Sequence, residues 1–503
     1  MSTTIRSAAI NGLHVDSVFV EVDIHFGLKA FHIVGLPGRS VRESSGRIES
    51  AFKQCKFDYP RYRILVNLAP AHLQKTGTLY DLPMALGLLI EQGILPQDCC
   101  KHLLAFGELG LDGTIRKVNG ALLMAKLAHS LGMKHVIVPA KNAKEAACID
   151  GIDVIGVSHL NSLVAHLVGM QTIEPQPSTT FTVSSRTHTF DLSQIRGHAH
   201  AKRALEIAAA GGHNVLMSGP PGSGKTLLAR SLATILPTLT KQESLEVTAI
   251  HSVAGRLKYG YVKERPFRAP HHTASGIALI GGGSNLRPGE ISLAHRGVLF
   301  LDEIAEFPSH VLEDLRQPLE EGTVTISRVA GTVEYPARFT LVGAMNPCPC
   351  GYSTDSSKPC ICSPVNIARY QRKLSGPFLD RIDVFTHVPR IDVKDVASAH
   401  AGESSNVVQA RVQDARNIQE RRYSATQLIC NADLSLSAIK RYCTVDDDAD
   451  AMLQTAASAL KLSTRAYIRT IRIAQTIADL AKFSSVTKGC MAEALQLREP
   501  NVR

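Results

Sequence analysis

The pattern of apolar and polar positions divides the chain into two regions that mix strands with helices, followed by one of helices alone. In residues 1–170, short strand-like apolar runs alternate with longer segments of helical spacing. The strand-like runs are Val18–Ile24, Ile64–Leu68 and His135–Pro139, and the helix-like segments are Val41–Phe52, Leu82–Gln92 and Ala121–Leu131. This pattern predicts a compact α/β or α+β domain.

The rest of the chain continues with a linker, a second mixed domain and a helical end. Residues 171–190 are rich in Pro, Ser and Thr without apolar periodicity, which is typical of a linker. Residues 191–395 again alternate strands with helices, as in a doubly wound parallel sheet with its ligand at the carboxyl ends of the strands. Residues 396–503 read as an α-helical lid. Its helical segments are Asn406–Arg422, Asp446–Leu460 and Arg465–Leu480, the last with an apolar face of Ile468, Ile471, Ala474, Ile477 and Ala478.

A glycine-rich stretch in the second domain has the spacing GxxxxGK[ST] of a phosphate-binding loop. It follows the strand-like Val215–Met217 and precedes a helix-like segment whose N-terminus would face an anion. In such a loop, backbone N–H groups hold the phosphates, the lysine reaches the β/γ oxygens and the hydroxyl binds Mg²⁺. The stretch therefore predicts a site for ATP and Mg²⁺. Its residues are Gly219, Pro220, Pro221, Gly222, Ser223, Gly224, Lys225 and Thr226.

Two carboxylates follow the buried strand-like run Gly297–Leu301. Alone, such an acidic pair would more simply cap a helix. Downstream of a phosphate-binding loop it is typical of a Walker B motif. Asp302 is then expected to hold Mg²⁺ from its outer coordination sphere, and Glu303 to orient and polarise the attacking water.

Four of the 11 cysteines form two close pairs around a polar loop, at positions 348, 350, 360 and 362. Four thiolates can hold Zn²⁺ tetrahedrally, and a full thiolate shell favours a structural role. The CxC spacing is less specific than CxxC, and the alternative is a set of incidental surface thiols. We predict that Cys348, Cys350, Cys360 and Cys362 bind zinc.

Composition narrows the class of partner. There are 55 basic and 45 acidic residues, a net charge of +10, which suits a nucleic acid, although diffuse surface charge is the alternative. The absence of Trp and the 5% aromatic content disfavour base stacking as the main contact. With no stretch near 18 apolar residues and no signal-peptide core at the N-terminus, we expect a cytoplasmic protein without a membrane partner.

Together with the Walker motifs, four further stretches resemble the magnesium-chelatase-like AAA+ ATPases, and within them the ComM/YifB branch. They are Arg265–His272, Pro288–Gly297, Met345–Gly351 and Leu379–Asp383. The resemblance covers nearly the whole chain. It implies an N-terminal domain similar to the Lon protease and ChlI type, an AAA+ core with a doubly wound sheet, and a helical lid.

The resemblance also implies roles for three residues outside the Walker motifs. Asn346 resembles the sensor-one residue that holds the attacking water, with a helix-capping asparagine as the alternative. Arg381 resembles an arginine finger for the neighbouring subunit, with an ion pair to Asp380 or Asp383 as the alternative. Arg465 resembles the sensor-two arginine, with a solvated helix-terminal arginine as the alternative. A finger acting on a neighbour implies a ring, usually a homo-hexamer.

The similarity to Lon raises the possibility of peptidase activity, which the sequence argues against. Thr76–Pro83 stands where Lon-like enzymes have the catalytic serine, and Val118–Leu123 where they have the lysine. Neither nucleophile nor base remains, and Ser–Lys chemistry requires both. We expect a binding or assembly module.

Two segments fit the hairpins that this clade projects into the ring channel. One is Thr323–Tyr335, with a turn at Ala330-Gly331, and the other runs from residue 268 through the glycines at 281–283 to residue 287. Arg268, Arg287 and Arg328 are candidates for phosphate contacts with DNA. Arg328 could instead be an ordinary exposed strand residue, and His271 and His272 are expected to pack or buttress a loop.

The function that the resemblance implies is an ATP-driven hexameric DNA motor. It would act on single-stranded and branched DNA as a helicase for branch migration, with recombination proteins as partners, and promote homologous recombination during natural transformation. One alternative is a chelatase-type remodeller of a protein partner, such as a Mg-chelatase-like subunit. Another is a regulatory binding module whose ATPase drives only assembly.

Overall fold

The computed structural model describes residues 3–181, 190–283, 286–328, 331–355, 358–391 and 402–498. Part of the predicted linker 171–190 and the whole of the predicted boundary at 395/396 lie outside these residues. The predicted turn at Ala330-Gly331 also lies partly outside them. The confirmed fold class is a mixed α/β domain, a parallel-sheet core and a helical lid.

The N-terminal domain is built on a seven-stranded mixed sheet. The nine strands of the domain, two of which lie outside this sheet, are β1 (Thr3–Asn11), β2 (His14–His25), β3 (Ala30–Val34), β4 (Arg63–Ala69), β5 (Leu103–Ala105), β6 (Glu108–Leu109), β7 (Ile115–Arg116), β8 (His135–Pro139) and β9 (Asp153–Val157). Its helices are α1 (Arg39–Arg42), α2 (Ser44–Gln54), α3 (Asp81–Glu91), α4 (Ala121–Ser130), α5 (Ala143–Ala146) and α6 (Leu160–Leu167). The sheet order is β3-β4-β2-β1-β5-β8-β9, with β6 and β7 in a separate hairpin.

The core contains a five-stranded sheet and two hairpins. Its strands are β10 (Val215–Ser218), β11 (Phe267–Arg268), β12 (Gly281–Gly282), β13 (Arg287–Pro288), β14 (Val298–Leu301), β15 (Thr323–Arg328), β16 (Gly331–Pro336), β17 (Thr340–Met345) and β18 (Val384–His387). Its helices are α7 (Ala199–Gly211), α8 (Lys225–Ile235), α9 (Lys241–Val253), α10 (Gly276–Ile280), α11 (Glu290–Leu293), α12 (Ser309–Asp314), α13 (Arg316–Glu321), α14 (Pro364–Gln371) and α15 (Gly376–Leu379).

The five-stranded sheet has the order β11-β14-β17-β10-β18, and every pair in it is parallel. All residues of β14 and β17 are buried, as expected for central strands covered on both faces. The two hairpins, β12–β13 and β15–β16, are antiparallel and pack against each other.

The lid is helical, with α16 (Ser405–Tyr423), α17 (Leu436–Tyr442), α18 (Asp447–Leu460), α19 (Thr464–Leu480) and α20 (Lys488–Gln496). Helix α16 packs on α7 and α8, and α19 packs on α7. Val408, Val412, Ile471 and Ala474 therefore join the apolar cluster of the core. Burying this shared surface favours a lid docked on the P-loop helices over one swinging freely.

The N-terminal domain contacts the core through α4 on α9. The buried Glu145 carboxylate accepts hydrogen bonds from the Ser252 hydroxyl and, at 2.9 Å, from the backbone N–H of Leu122. Lys241 forms an ion pair of 2.6 Å with Asp150 across the same boundary. Since burial raises the pKa of Glu145, these donors offset part of the desolvation of its carboxylate.

Candidate functional site

Polar residues of the candidate site follow the carboxyl ends of the parallel strands. Strand β10 leads into Gly219 and the phosphate-binding loop, β14 into Asp302 and Glu303, and β17 into Asn346. Strand β11 lies at the edge of the same sheet and is followed four residues later by His272. Parallel strands place their carboxyl ends at one edge, so these residues meet there.

The glycines of the loop meet its backbone requirements. Gly222 and Gly224 have φ angles of 75° and 89°, which residues with a Cβ rarely adopt. At Gly219, a Cβ would lie 2.1 Å from the carbonyl oxygen of Val388. Helix α8 then begins at Lys225, which places a helix N-terminus behind the loop, as at phosphate sites in other proteins.

Lys225 and Asn346 lie in contact at this edge. The Lys225 Nζ donates to the carbonyl oxygens of Gly219 at 2.7 Å and Pro220 at 2.8 Å, and to Oδ1 of Asn346 at 3.2 Å. Burial lowers the pKa of the Lys225 ammonium, and the carboxylates of Asp302 and Glu303 oppose this shift. Asn346 therefore lies beside the lysine of the phosphate-binding loop.

Thr226 and Asp302 form a donor set that fits Mg²⁺. The Thr226 hydroxyl donates to Oδ2 of Asp302 at 2.8 Å, so a hydroxyl and a carboxylate, both hard oxygen ligands, lie together beside the loop. Glu303 follows with φ 50° and ψ 46°, a left-handed conformation unusual for a residue with a side chain. Its N–H donates to Oδ1 of Asp302 at 3.0 Å, which helps to hold this turn.

The four predicted zinc ligands converge, with all four sulfur atoms within 4.8 Å of one another. The sulfur of Cys348 lies 3.4 Å from that of Cys350 and 3.8 Å from that of Cys360, and Cys350 and Cys360 are 3.6 Å apart. A tetrahedral thiolate shell with Zn–S bonds of ~2.3 Å has S–S separations of ~3.8 Å. Backbone N–H groups of Tyr352 and Ile361 lower the pKa of Cys350 to about 6.

The cysteine cluster adjoins the nucleotide site. Cys348 follows Asn346 by two residues, and a Cβ on Gly351 would lie 2.5 Å from Cδ of Pro221. The loop between the cysteine pairs therefore packs directly on the phosphate-binding loop.

Arg381 and Arg465 lie together in a separate cluster. The Arg381 guanidinium donates to the Glu320 carboxylate and to the carbonyl of Pro377. Arg465 lies 3.6 Å from the same Glu320 and 3.7 Å from Asp380. The alternative considered from the sequence was an ion pair within the chain to Asp380 or Asp383, and the structure has such an ion pair to Glu320 on α13 instead.

This cluster lies at the edge of the sheet opposite the phosphate-binding loop. Arg381 precedes β18, and its carbonyl accepts from the side chain of Asn214, which precedes β10, at 2.9 Å. Strands β10 and β18 both run from this point towards the loop, and the four residues of each strand span ~13 Å. Arg381 and Arg465 face a cavity of about 630 Å³ between core and lid, and no loop residue is among the described residues that line it.

The three arginines proposed for DNA contacts differ in their surroundings. Arg268 forms a two-point ion pair with Glu290, at 2.5 and 2.7 Å, so its charge is largely compensated. Arg287 and Arg328 are exposed on the two hairpins, and neither has an acidic partner within the described parts of the chain. A Cβ on Gly282 would lie 3.9 Å from Nη2 of Arg328, so the guanidinium of Arg328 reaches the neighbouring hairpin.

Sequence reasoning missed two residues of these clusters, Glu320 and His272. Glu320 had no motif around it, and its role follows only from the packing of α13. His272 was expected to pack or buttress a loop, yet its Nδ1 lies 3.7 Å from Oε2 of Glu303. Its position soon after β11, the edge strand paired with β14, was the available signal.

The core is a five-stranded parallel sheet with a helical lid. Its phosphate-binding loop follows β10, and its two carboxylates follow β14, which is separated from β10 by β17. This arrangement defines a P-loop ATPase of the AAA+ class. Three family models match the chain. They are described as magnesium chelatase, subunit ChlI, over residues 191–396, subunit ChlI of Mg-chelatase over 20–142, and magnesium chelatase, subunit ChlI C-terminal, over 402–498. The chain belongs to the ComM/YifB family of magnesium-chelatase-like AAA+ ATPases.

Individual relatives agree with this assignment. The chain is 41% identical to the competence protein ComM of Haemophilus influenzae, covering 98% of this chain and 97% of that protein. It is 40% identical to the uncharacterized protein YifB of Escherichia coli, covering 98% and 96%. A match at 28% identity to the magnesium-chelatase 38 kDa subunit of Cereibacter sphaeroides covers 31% of this chain and 53% of that subunit. In the described parts of the chain, we find no helical segment with the length and apolar character needed to span a bilayer.

Proposed function

We propose that the protein is a cytoplasmic, ATP-driven DNA motor that works as a homo-hexamer and migrates branched DNA. One observation carries the proposal: Arg381 and Arg465 lie at the opposite edge of the sheet from the phosphate-binding loop of their own chain. An arginine so placed can stabilise transition-state charge only in a neighbour's site. Head-to-tail contacts of this kind form a ring when the rotation between neighbours closes.

Within one subunit, the carboxyl edge of the sheet supplies the remaining groups. Lys225 and the loop N–H groups bind the phosphates of ATP, and Thr226 and Asp302 hold Mg²⁺. Glu303 polarises the attacking water and Asn346 holds it in position. Bound Mg²⁺ neutralises the charge that develops on the phosphates.

DNA is proposed as the moving substrate because of the paired hairpins. Arg287 and Arg328 are exposed on neighbouring hairpins, and the chain has a net charge of +10. Contacts to phosphates are independent of sequence, as translocation requires. The relative named for competence supports a role in recombination during natural transformation, together with other recombination proteins.

The four cysteines are proposed to hold a structural Zn²⁺. Cys348, Cys350, Cys360 and Cys362 provide a full tetrahedral shell, which leaves no position for a substrate. Since Gly351 packs on Pro221, the metal would fix one wall of the nucleotide site.

The test is branch migration of a labelled three-strand DNA junction by the purified full-length protein, with ATPase activity measured in parallel. Lys225→Ala should abolish strand displacement, whereas Lys440→Ala, at an exposed lysine of α17, should retain it. ATP hydrolysis that DNA does not stimulate, without displacement by the unaltered protein, would contradict the proposal.

A second candidate is a chelatase-type remodeller of a protein partner. It is favoured by the family models and by the match to the magnesium-chelatase 38 kDa subunit. Hydrolysis stimulated by a partner protein but not by DNA would favour this candidate. DNA-dependent hydrolysis that falls steeply with salt would favour the motor.

A further inference from the structure

The segment that joins β2 to β3, residues 26–29, exposes two large apolar side chains. Phe26 is 94% exposed and Leu28 is 93% exposed, in a domain whose apolar side chains mostly form a buried core. Strands β2 and β3 lie on opposite sides of β4, and His25 and Ala30 both pair with Arg63. The segment therefore crosses the beginning of β4, over two strand spacings of ~4.8 Å each. Side chains on such a crossing have no layer of the domain to pack on.

A second aromatic ring lies beside Phe26 at this end of β4. The ring centroids of Phe26 and Tyr62 are 5.0 Å apart, and the ring planes are inclined by 37°. Tyr62 is itself 45% exposed, so both rings remain open to solvent. Neighbouring rings of this kind can stack on nucleic-acid bases, and stacking is tolerant of sequence because every base has a π face.

Basic side chains flank the two rings. Arg61 and Arg63 stand on either side of Tyr62 in the sequence, both are exposed, and neither forms an ion pair within the described parts of the chain. A Cβ on Gly27 would lie 3.8 Å from Cβ of Arg63, which places this arginine against the crossing segment. Residues 53–63 carry four basic side chains and one carboxylate, so the surface around the rings is positively charged.

This surface lies far from the hairpins of the core. Gly12, in the turn before β2, packs on Val333 of β16. Phe26 follows the opposite end of β2, a strand of 12 residues that extends over up to ~40 Å. A ligand held by Phe26 is therefore not held by the same groups as one on the hairpins.

The combination of rings and arginines fits a single strand of DNA. Such a strand offers unpaired bases to the rings and phosphates to the arginines. In a duplex, the bases are stacked on one another and cannot reach Phe26. An apolar protein surface would cover Arg61 and Arg63 without supplying a compensating charge, which is unfavourable.

We propose that the crossing segment and the residues before β4 form a second site for single-stranded DNA, on the N-terminal domain. Phe26 and Tyr62 would stack on bases, and Leu28 would cover the edges of those bases. Arg61 and Arg63 would hold the phosphates on either side. This inference rests on the proposed function as a DNA motor.

The first test is binding of a fluorescent oligothymidylate to the full-length protein, by anisotropy at several salt concentrations. Phe26→Ala and Tyr62→Ala should each weaken binding about tenfold through lost stacking, with an unchanged slope of log affinity against log salt concentration. Arg61→Ala and Arg63→Ala should each reduce that slope by about 0.7 unit, the value for one phosphate of a single strand. Tyr62→Phe, which keeps the ring, and Phe483→Ala, at an exposed aromatic of the lid, should match the unaltered protein.

The second test locates the strand by photo-crosslinking of an oligonucleotide that contains 5-iododeoxyuridine, followed by mass spectrometry of the peptides. Crosslinks at Phe26 or Tyr62 should form in the unaltered protein. They should persist when Arg287→Ala and Arg328→Ala are combined in one chain, because the two sites are separate.

The outcomes distinguish this site from the motor itself. An unaltered protein that binds the strand without a crosslink at Phe26 or Tyr62, and with unchanged affinity in both alanine variants, would overturn the second site alone. An unaltered protein that binds no single-stranded DNA would overturn the proposed motor as well. Vesicles of anionic phospholipid that bind the unaltered protein but not Phe26→Ala, while the strand binds both equally, would assign the surface to a membrane and overturn the DNA site.

Discussion

At the scale of single residues, we expect Lys225 to decide whether ATP is bound. Its ammonium lies at the centre of the phosphate-binding loop and contacts Asn346 at 3.2 Å. Lys225→Ala removes charge-assisted hydrogen bonds of ~2 kcal/mol each, so ATP affinity should fall at least ~100-fold. Equilibrium binding of a fluorescent ATP analogue measures this, with Lys440→Ala as the control. Affinity within about threefold of that of the unaltered protein would refute the assignment.

Substitution of Arg381 is expected to reduce ATP hydrolysis without weakening ATP binding. Because it lies at the edge of the sheet remote from its own loop, Arg381→Ala should leave ATP binding and ring formation intact. Hydrolysis should fall by about 10³-fold, the range found for arginine fingers. Arg372→Ala, at an exposed arginine of the same core, is the matched variant. A loss of ATP affinity in Arg381→Ala, measured by titration, would place the residue in its own subunit's site instead.

The sequence predicted residues whose role depends on local spacing and missed those whose role depends on packing. Lys225, Thr226 and Asp302 were placed by motifs because a P-loop and a following strand impose their geometry. Glu320 and His272 were missed because their contacts join residues 61 and 31 positions apart in the chain, to Arg381 and Glu303. Long-range pairs of this kind have no periodic signal.

At the scale of elements, the two hairpins should carry the binding of DNA. Arg287→Ala and Arg328→Ala should each weaken the binding of DNA to the same extent for all sequences. Each should also reduce the slope of log affinity against log salt concentration by about one unit. Arg268→Ala should act mainly on stability, because Arg268 is paired with Glu290. Fluorescence anisotropy at several salt concentrations measures these effects, with the exposed lid variant Arg441→Ala as control. Unchanged salt slopes in both hairpin variants would show that DNA binds elsewhere.

The loop that carries the four cysteines should require Zn²⁺ for its structure. Cys348→Ser and Cys360→Ser should lower the zinc content, about one ion per chain, and reduce hydrolysis because the loop packs on Pro221. Elemental analysis and ATPase activity measure both, and Cys443→Ser, outside the cluster, should change neither. An unaltered protein purified without zinc that is fully active would contradict a required metal.

The sequence predicted helices and strands correctly where the pattern of apolar residues repeats over many positions. The helix that the sequence predicts to begin at Arg465 begins at Thr464 in the structure, and β8 has its predicted bounds. The predicted helix Val41–Phe52 is interrupted at Glu43, whose ψ of −6° breaks the regular helix. Strands β12 and β13 have two residues each, too short for any alternation, so their hairpin was inferred only from glycines and the resemblance. The predicted hairpin segment began at Arg268, but Arg268 lies in β11 of the central sheet and outside the hairpin.

At the scale of the whole molecule, the phosphate-binding loop and the cluster of Arg381 and Arg465, which we propose as the two halves of an ATPase site, lie at opposite edges of one sheet. The lid shares an apolar cluster with the core, so it cannot easily swing Arg465 across to its own loop. The N-terminal domain docks on α9 through Glu145. We propose a ring in which the amino edge of one core faces the carboxyl edge of the next, because it joins the two sets of residues without moving the lid.

The most direct test of this shared site is complementation between two inactive variants. Glu303→Gln disables the carboxyl edge and Arg381→Ala the amino edge, so each protein alone should hydrolyse almost no ATP. Mixed in equal amounts and allowed to exchange subunits, they should recover up to roughly a quarter of the original rate, the fraction of interfaces with both intact halves. Lys225→Ala mixed with Glu303→Gln, both defective at the carboxyl edge, should recover none. No recovery in the first mixture, despite mixed rings seen by native mass spectrometry, would contradict the account.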